Sequence, residues 1–238
     1  ERILKVVENL VGKPKRSVIE KAYDILSLPS EFISFMNGNP KDPDFINAFH
    51  YLTTQRGITK YDILKYNIGY CDKGLYAGMV IIPSYDSNGQ LNFFTGRTYY
   101  PDRSFKHKNP KVSKDIIGFD LFVNWNEPIT IVEGAFDAIA IKRNTIPLFG
   151  KKMLSQLKTK IINSNVKQVN IALDDDAIMD ALDMCEYLIS NGVEVRLIEM
   201  KDRDPSELGF ALATEYINTS APLTASSLMQ KKIMRSFI

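Results

Sequence analysis

Apolar positions in the first forty residues recur at helical spacing. Ile3, Leu4, Val7, Leu10 and Val11 share one face, Gly12 and Pro14 interrupt it, and a second stretch runs from Ser17 to Leu28. Two amphipathic helices are predicted there. The polar run from Asn37 to Pro43 reads as a loop by its turn chemistry. A third helix is predicted from Phe45 to Arg56, ending at Gly57, where a left-handed C-cap is expected. Beyond it the pattern turns to strands. Met79–Pro83 and Leu91–Thr95 flank Asp86-Ser87-Asn88-Gly89, which predicts a β-hairpin.

From residue 129 strand and helix alternate. Strands are predicted at Ile129–Val132, Ile146–Phe149, Val169–Leu173 and Val193–Ile198, with helices at Ala135–Arg143, Met153–Ile162, Ala177–Ser190 and from Pro205 toward Asn218. Leu228–Ile238 reads as a last amphipathic helix. Such repetition implies a parallel sheet with right-handed crossovers, whose strands all end on one edge, where ligands bind. The expected class is α/β. A mixed α/β subdomain covers 1–125, a Rossmann-like parallel-sheet subdomain 126–220, and a helical tail 221–238.

The composition of the 238 residues, 45% apolar and 24% charged, is that of an ordinary globular protein. No apolar run approaches the ~20 residues of a membrane span, and no secretory signal opens the chain. It starts at Glu1 rather than Met, as expected of a processed or excised piece. Cys71 and Cys185 stand far apart, with no His at ligand spacing beside them, which argues against structural zinc and for a reducing compartment. Gly150-Lys151-Lys152 lacks the upstream Gly and the Ser/Thr of a P-loop.

The net charge of +2 hides two opposite runs. Residues 97–114 carry +5, and residues 174–186 carry −6. Either run alone is most simply a solvated face. Together they suit a site holding phosphates and metal ions. Placed on the predicted sheet, Glu133 follows the first strand, Asp174, Asp175 and Asp176 the third, and Asp202 and Asp204 the fourth. Each has a bland reading as a helix cap or loop residue. Their joint occurrence at three strand ends favours a carboxylate cluster of Glu133, Asp174, Asp176 and Asp204, with Asp175 pointing away. Such a cluster repels itself unless a cation joins it, and a hard ion such as Mg²⁺ (or Mn²⁺) suits carboxylate oxygens. Tyr99, Tyr100 and Phe105 interleave the basic run and are expected either to stack on bases or to pack beneath the loop.

These residues resemble a known family. Ile131-Val132-Glu133-Gly134-Ala135-Phe136-Asp137, Leu173-Asp174-Asp175-Asp176-Ala177 and Lys201-Asp202-Arg203-Asp204-Pro205 are similar to the TOPRIM domain in its primase form. Upstream, Tyr51–Ile58 with Asn67–Tyr70, the Val80–Arg97 hairpin, and Lys106-His107-Lys108-Asn109-Pro110 also resemble segments of the RNA polymerase domain of DnaG-type primases. The resemblance covers about residues 45–210 and implies RNA-primer synthesis on single-stranded DNA from NTPs. It implies metal binding by Glu133, Asp174, Asp176, Asp204 and Asp137. It implies nucleotide and template binding by Arg97, Lys106, Lys108, Asn109, Lys111, Lys114 and Arg56. Expected partners are the template, NTPs, the nascent RNA primer and a replicative helicase, with no membrane. The expected setting is the cytoplasm of a bacterial cell, with phage or plasmid coding. Ser206 stands where the family often has a further Asp, and Asp175 replaces its usual Gly. Two other readings are a TOPRIM-type metal-dependent DNA nuclease and a non-catalytic module that grips single-stranded DNA.

Overall fold

The computed structural model describes residues 26–103, 105–199 and 205–235, with the side chains of 205–208 left out. The helices predicted before residue 26 lie outside this range. The second of them does not reach Leu28, because residues 26–28 are not helical. Pro29 disfavours helix at the residue before it, and Leu26 and Leu28 instead pack against the cluster of Cys71, Tyr76, Met79, Ile81 and Phe94.

The first sheet is antiparallel. Its strands are β1 (Phe32–Ser34), β2 (Gly69–Cys71), β3 (Met79–Tyr85), β4 (Leu91–Thr98) and β5 (His107–Lys108), paired in that order. Between β1 and β2 run α1 (Pro43–His50), which continues as a π-helical turn over Tyr51–Gln55, and α2 (Lys60–Lys65). Asp42 caps α1 through the Asp44 amide, and the turn stops at Gly57, whose φ of 62° only a glycine adopts without strain. The β3–β4 hairpin closes through Gly89 at φ 78°, with Asp86 accepting from the amides of Asn88 and Gln90. Alternation along β3 divides the sheet's two faces. Val80 and Ile82 join the main core, while Met79 and Ile81 face the Leu26/Leu28 side.

The second sheet is wholly parallel, as the sequence predicts. Its strands are β6 (Ile129–Val132), β7 (Thr145–Pro147), β8 (Gln168–Ile171) and β9 (Glu194–Leu197), in the spatial order β7-β6-β8-β9. The intervening helices are α3 (Ala135–Ile141), α4 (Ser155–Asn163) and α5 (Ile178–Ser190). α6 (Pro205–Thr219) follows β9 and breaks at Gly209, and α7 (Ala225–Arg235) ends the described chain. Ile129, Ile131, Val169, Ile171 and Val195 bury one face against α4 and α5, with Leu228 of α7 in the same cluster. Lys232 of α7 also reaches Asp183 and Glu186 of α5. The tail therefore packs on the parallel sheet's helical layer.

Val132, Ala172 and Ile198, on the other face of that sheet, belong to the same cluster as Val80, Ile82 and Phe93 of the antiparallel sheet. Rings seal the join, with Phe93 and Phe149 centred 4.6 Å apart and Tyr66 and Phe119 4.7 Å apart. One core thus serves both sheets. Cys71 and Cys185 are free and buried, and burial pushes each thiol up to about 12. Among the described residues no helix is long and apolar enough to cross a membrane.

Asp62 ties the α-helical corner to this core. Its nearly buried carboxylate accepts from the Thr59 amide (3.0 Å), the Thr59 hydroxyl (2.6 Å) and Lys142 Nζ (2.8 Å). Burial works to raise its pKa, but Lys142 and Thr59 outweigh that and hold it below the ordinary value. Asp62→Ala is expected to destabilise the protein by roughly 2 kcal/mol at neutral pH in chemical denaturation. Because the folded pKa is depressed, this contribution is complete above the unfolded carboxylate pKa and fades as pH falls through the folded one. The difference between wild type and variant should therefore narrow below about pH 4.

Candidate active site

β7 leaves β6 on one side and β8 on the other, so the order β7-β6-β8-β9 places the topological switch point between β6 and β8. Ligands of open parallel sheets bind beyond the strands' carboxyl ends at such a point. Glu133 directly follows β6, and Asp174 follows β8 and opens the short 3₁₀ turn Asp175–Ala177. Glu133, Asp174 and Asp176 each offer a carboxylate oxygen, and these oxygens lie within 4.8 Å of one another. The Asp174 amide donates to Glu133 Oε1 at 3.3 Å, fixing the first acid against the second. Asp175 is exposed and outside the trio.

The trio's charge is visible in its protonation. Burial, reinforced by Asp174, pushes Glu133 up to about 7, against the opposing pull of Lys151. Lys151 Nζ sits 2.5 Å from Asp176 Oδ2 and feels all three acids, which raise its own pKa. The P-loop comparison passed over this lysine, but it lies beyond the carboxyl end of β7, the fourth strand end. The rule that gathered the acids also reaches it. Three carboxylates that have drawn in one ammonium and raised a neighbour's proton affinity are a donor set fit for a hard divalent cation.

Facing the acids is a cleft of about 400 Å³ whose far wall is the antiparallel sheet. Arg97, His107 and Asn109 line it together with Arg56. Strand alternation selects them. Arg97 on β4 pairs in register with His107 on β5 and donates to its ring, while Asn109 accepts from Thr95 Oγ1 at 2.8 Å. Burial, then Arg97, Arg56 and Lys106, hold His107 below its usual pKa, so it is neutral at pH 7. Arg56 donates to the Tyr51 hydroxyl at 2.9 Å and lies over the Tyr51 and Phe136 rings.

Other predicted residues lie elsewhere. Lys108 points to the opposite face of the sheet, where it donates to the Leu75 carbonyl at 2.9 Å and covers the Tyr76 ring. Lys106 and Lys111 are exposed and outside the cleft lining, though the Lys106 charge reaches it through His107. Lys114 donates to the Phe149 carbonyl at the rim. Asp137 lines the cleft, and its Oδ2 accepts from the Gly134 amide at 2.9 Å, capping α3. Asp204 lies outside the described residues. Of the aromatics, Tyr99 and Tyr100 both donate to Asp44 Oδ1 and pack together, so they anchor α1, while Phe105 is exposed.

The fold has counterparts among solved structures. One is the Aquifex aeolicus primase (zinc-binding and RNA polymerase domains), at 21% identity and a TM-score of 0.64. The match covers 77% of this chain but 57% of that one, so this chain spans little more than half of its length. A DnaG primase catalytic domain bound to single-stranded DNA matches at 17% identity and a TM-score of 0.69, over 83% of this chain and 78% of that one. This is the fold of a DnaG-type primase catalytic core. A DNA primase domain from Pseudomonas aeruginosa agrees, at 19% identity and a TM-score of 0.67, covering 82% of this chain and 78% of that one. No protein-family model and no curated protein matches the sequence. On this fold the acids and Lys151 stand at the carboxyl edge of the parallel sheet, and Arg97 stands on the antiparallel one.

The raised Glu133 pKa has a direct readout. In metal-free protein, NMR of labelled glutamate carboxyls should show one midpoint near 7, moving higher in Lys151→Met, which removes the opposing charge. A folded pKa above the unfolded one means the folded state holds the extra proton, so metal-free stability should fall as pH rises from about 4.5 to about 7. Mg²⁺ should reverse that loss by replacing the proton.

Proposed function

We propose that this chain is the catalytic core of a primase, making short RNA on single-stranded DNA by metal-dependent nucleotidyl transfer from NTPs. The observation that carries the reading is the cleft itself, lined by Glu133 and Asp174 of the acid trio and, across from them, by Arg97 and Asn109, with Arg56 also in its lining. Support also comes from the shared fold and from the single-stranded DNA bound to one of the proteins that has it.

Glu133, Asp174 and Asp176 would hold Mg²⁺ or Mn²⁺, with Asp204 as an additional ligand and Asp137 fixing the start of α3 behind Glu133. An ion held by these carboxylates would supply Lewis acidity, lowering the pKa of a primer hydroxyl and neutralising charge on the α-phosphate. The remaining work belongs to side chains. Arg97 and Arg56 bind the triphosphate from the opposite wall, since a guanidinium offers paired N–H donors to phosphate oxygens. Neutral His107 orients Arg97 and accepts from it, keeping that cation aimed into the cleft. Lys151, paired here with Asp176 beside the acids, would serve as a further phosphate ligand. Lys106, Lys111 and Lys114 lie beyond the cleft lining and follow the template and primer backbones, with a replicative helicase as the partner that delivers the template, while Lys108, turned to the reverse face of the sheet, takes no part in that path.

The decisive assay is primer synthesis on a randomised single-stranded template with NTPs and Mg²⁺ or Mn²⁺. Wild type should make short RNA and Glu133→Gln none, with unchanged circular dichroism. Arg97→Ala should lower kcat/KM for NTP by about 10- to 100-fold, the value of a charge-assisted contact. Wild type that yields no RNA on any template, with helicase supplied, would end the reading, and nicking of DNA without NTPs would replace it with nuclease chemistry.

A further inference from the structure

Arg56 enters the cleft from a break in helical geometry. α1 is α-helical to His50, but beyond it the Arg56 amide reaches back five residues, to the Tyr51 carbonyl at 3.1 Å. Residues five apart on an α-helix stand about 140° apart around its axis, so their side chains diverge. A π turn is wider and brings them over one another, and such turns are frequent at functional sites. Here it sets the Tyr51 hydroxyl against Arg56, whose Nε donates to it at 2.9 Å.

Three contacts fix the guanidinium. Besides the bond at Nε, it lies 5.5 Å from the centre of the Tyr51 ring and 5.0 Å from that of Phe136, both within cation–π range. The two rings meet edge to face at 6.3 Å. Tyr51 is 6% exposed and set in the main core, so its hydroxyl is an anchored point. Phe136 stands in the first turn of α3, three residues after Glu133, and so ties the cation to the strand end that carries the first acid. The terminal nitrogens are left over. Arg56 makes no ion pair and no further side-chain hydrogen bond with any described residue, whereas Arg97 spends a terminal nitrogen on His107. Arg56 therefore presents a complete fork to the cleft, the geometry that matches phosphate oxygens. Holding so long a side chain in place beforehand removes part of the ordering cost of binding.

We infer that Tyr51 is a positioning residue for the incoming nucleotide: its hydroxyl, carried over Arg56 by the π turn, fixes Nε so that the two terminal nitrogens grip the triphosphate. The role rests on the proposed nucleotidyl transfer, and the test reads binding apart from synthesis. Mg²⁺·ATP is titrated by calorimetry into wild type, Tyr51→Phe, Arg56→Lys and the double variant. Tyr51→Phe keeps the ring in the core and removes only the hydroxyl; it should weaken binding about tenfold, the scale of one hydrogen bond to a charged group. Arg56→Lys keeps the charge but has no Nε–H, so adding Tyr51→Phe to it should change nothing further. A hydroxyl that merely supported the fold would cost the same in both backgrounds. By NMR of arginine-labelled protein, the Arg56 Nε proton should exchange slowly with water in wild type and faster in Tyr51→Phe. The inference is overturned by wild-type affinity in Tyr51→Phe, by additive losses in the double variant, by Nε exchange that the variant leaves unchanged, or by no saturation of wild type at about 1 mM Mg²⁺·ATP. The expected pattern of binding in a protein that makes no RNA would uphold the role of Tyr51 and remove the primase reading.

Discussion

Three carboxylates forced together at the end of a parallel sheet are the constraint on which the molecule turns. Their repulsion has to be answered by positive charge, and the structure answers it locally with the Lys151 ammonium and a proton affinity on Glu133 near neutrality. Neither is a strong remedy. A partly exposed ion pair is worth little, and a proton at pH 7 is only half present. A divalent ion satisfies the same oxygens far better, which is why the site's chemistry follows from its topology. Strands β6 and β8 must be neighbours for Glu133 and Asp174 to meet, and the switch in winding direction at β6 makes them so.

The cationic wall obeys a different rule. On β4 and β5 successive side chains face opposite ways, so a run of positive residues is split between the cleft and the reverse face. Arg97, His107 and Asn109 take one side, and Lys108 the other. Charge counted along a sequence therefore overstates what any single ligand can meet. The aromatics of that run show the same division of labour, since Tyr99 and Tyr100 give their hydroxyls to Asp44 and hold a helix in place.

Much of this was legible in the sequence because the informative elements are long or strongly patterned. Buried runs such as Ile129–Val132 and the Asn-Gly hairpin declare themselves, and strand-end logic located the acids. The three-residue strands β1 and β2 and the two-residue β5 hold too little periodicity to be read, and they form because β3 offers an edge to β2, β2 in turn to β1, and β4 to β5. Leu26–Leu28 read as the end of a helix because the apolar pattern of Ser17–Leu28 runs up to Pro29, which disfavours helix in the residue before it. Lys151 is hard to read for another reason: Gly150-Lys151-Lys152 invites comparison with a phosphate loop, whereas its significance lies in standing beyond a strand end. Identities of 17–21% to chains of the same fold show how little sequence that fold needs in common.

The interlocked rings of Phe93 and Phe149 carry a last consequence. They weld the acidic and cationic walls at the back of the cleft, so bringing the walls closer or farther apart would drag aromatic surface through water. The gap behaves like the fixed jaw of a gauge rather than a clamp. If the cleft takes a polyanion as proposed, admission depends on whether its charges match the spacing already built, and adaptation to it falls to the long side chains of Arg97 and Lys151.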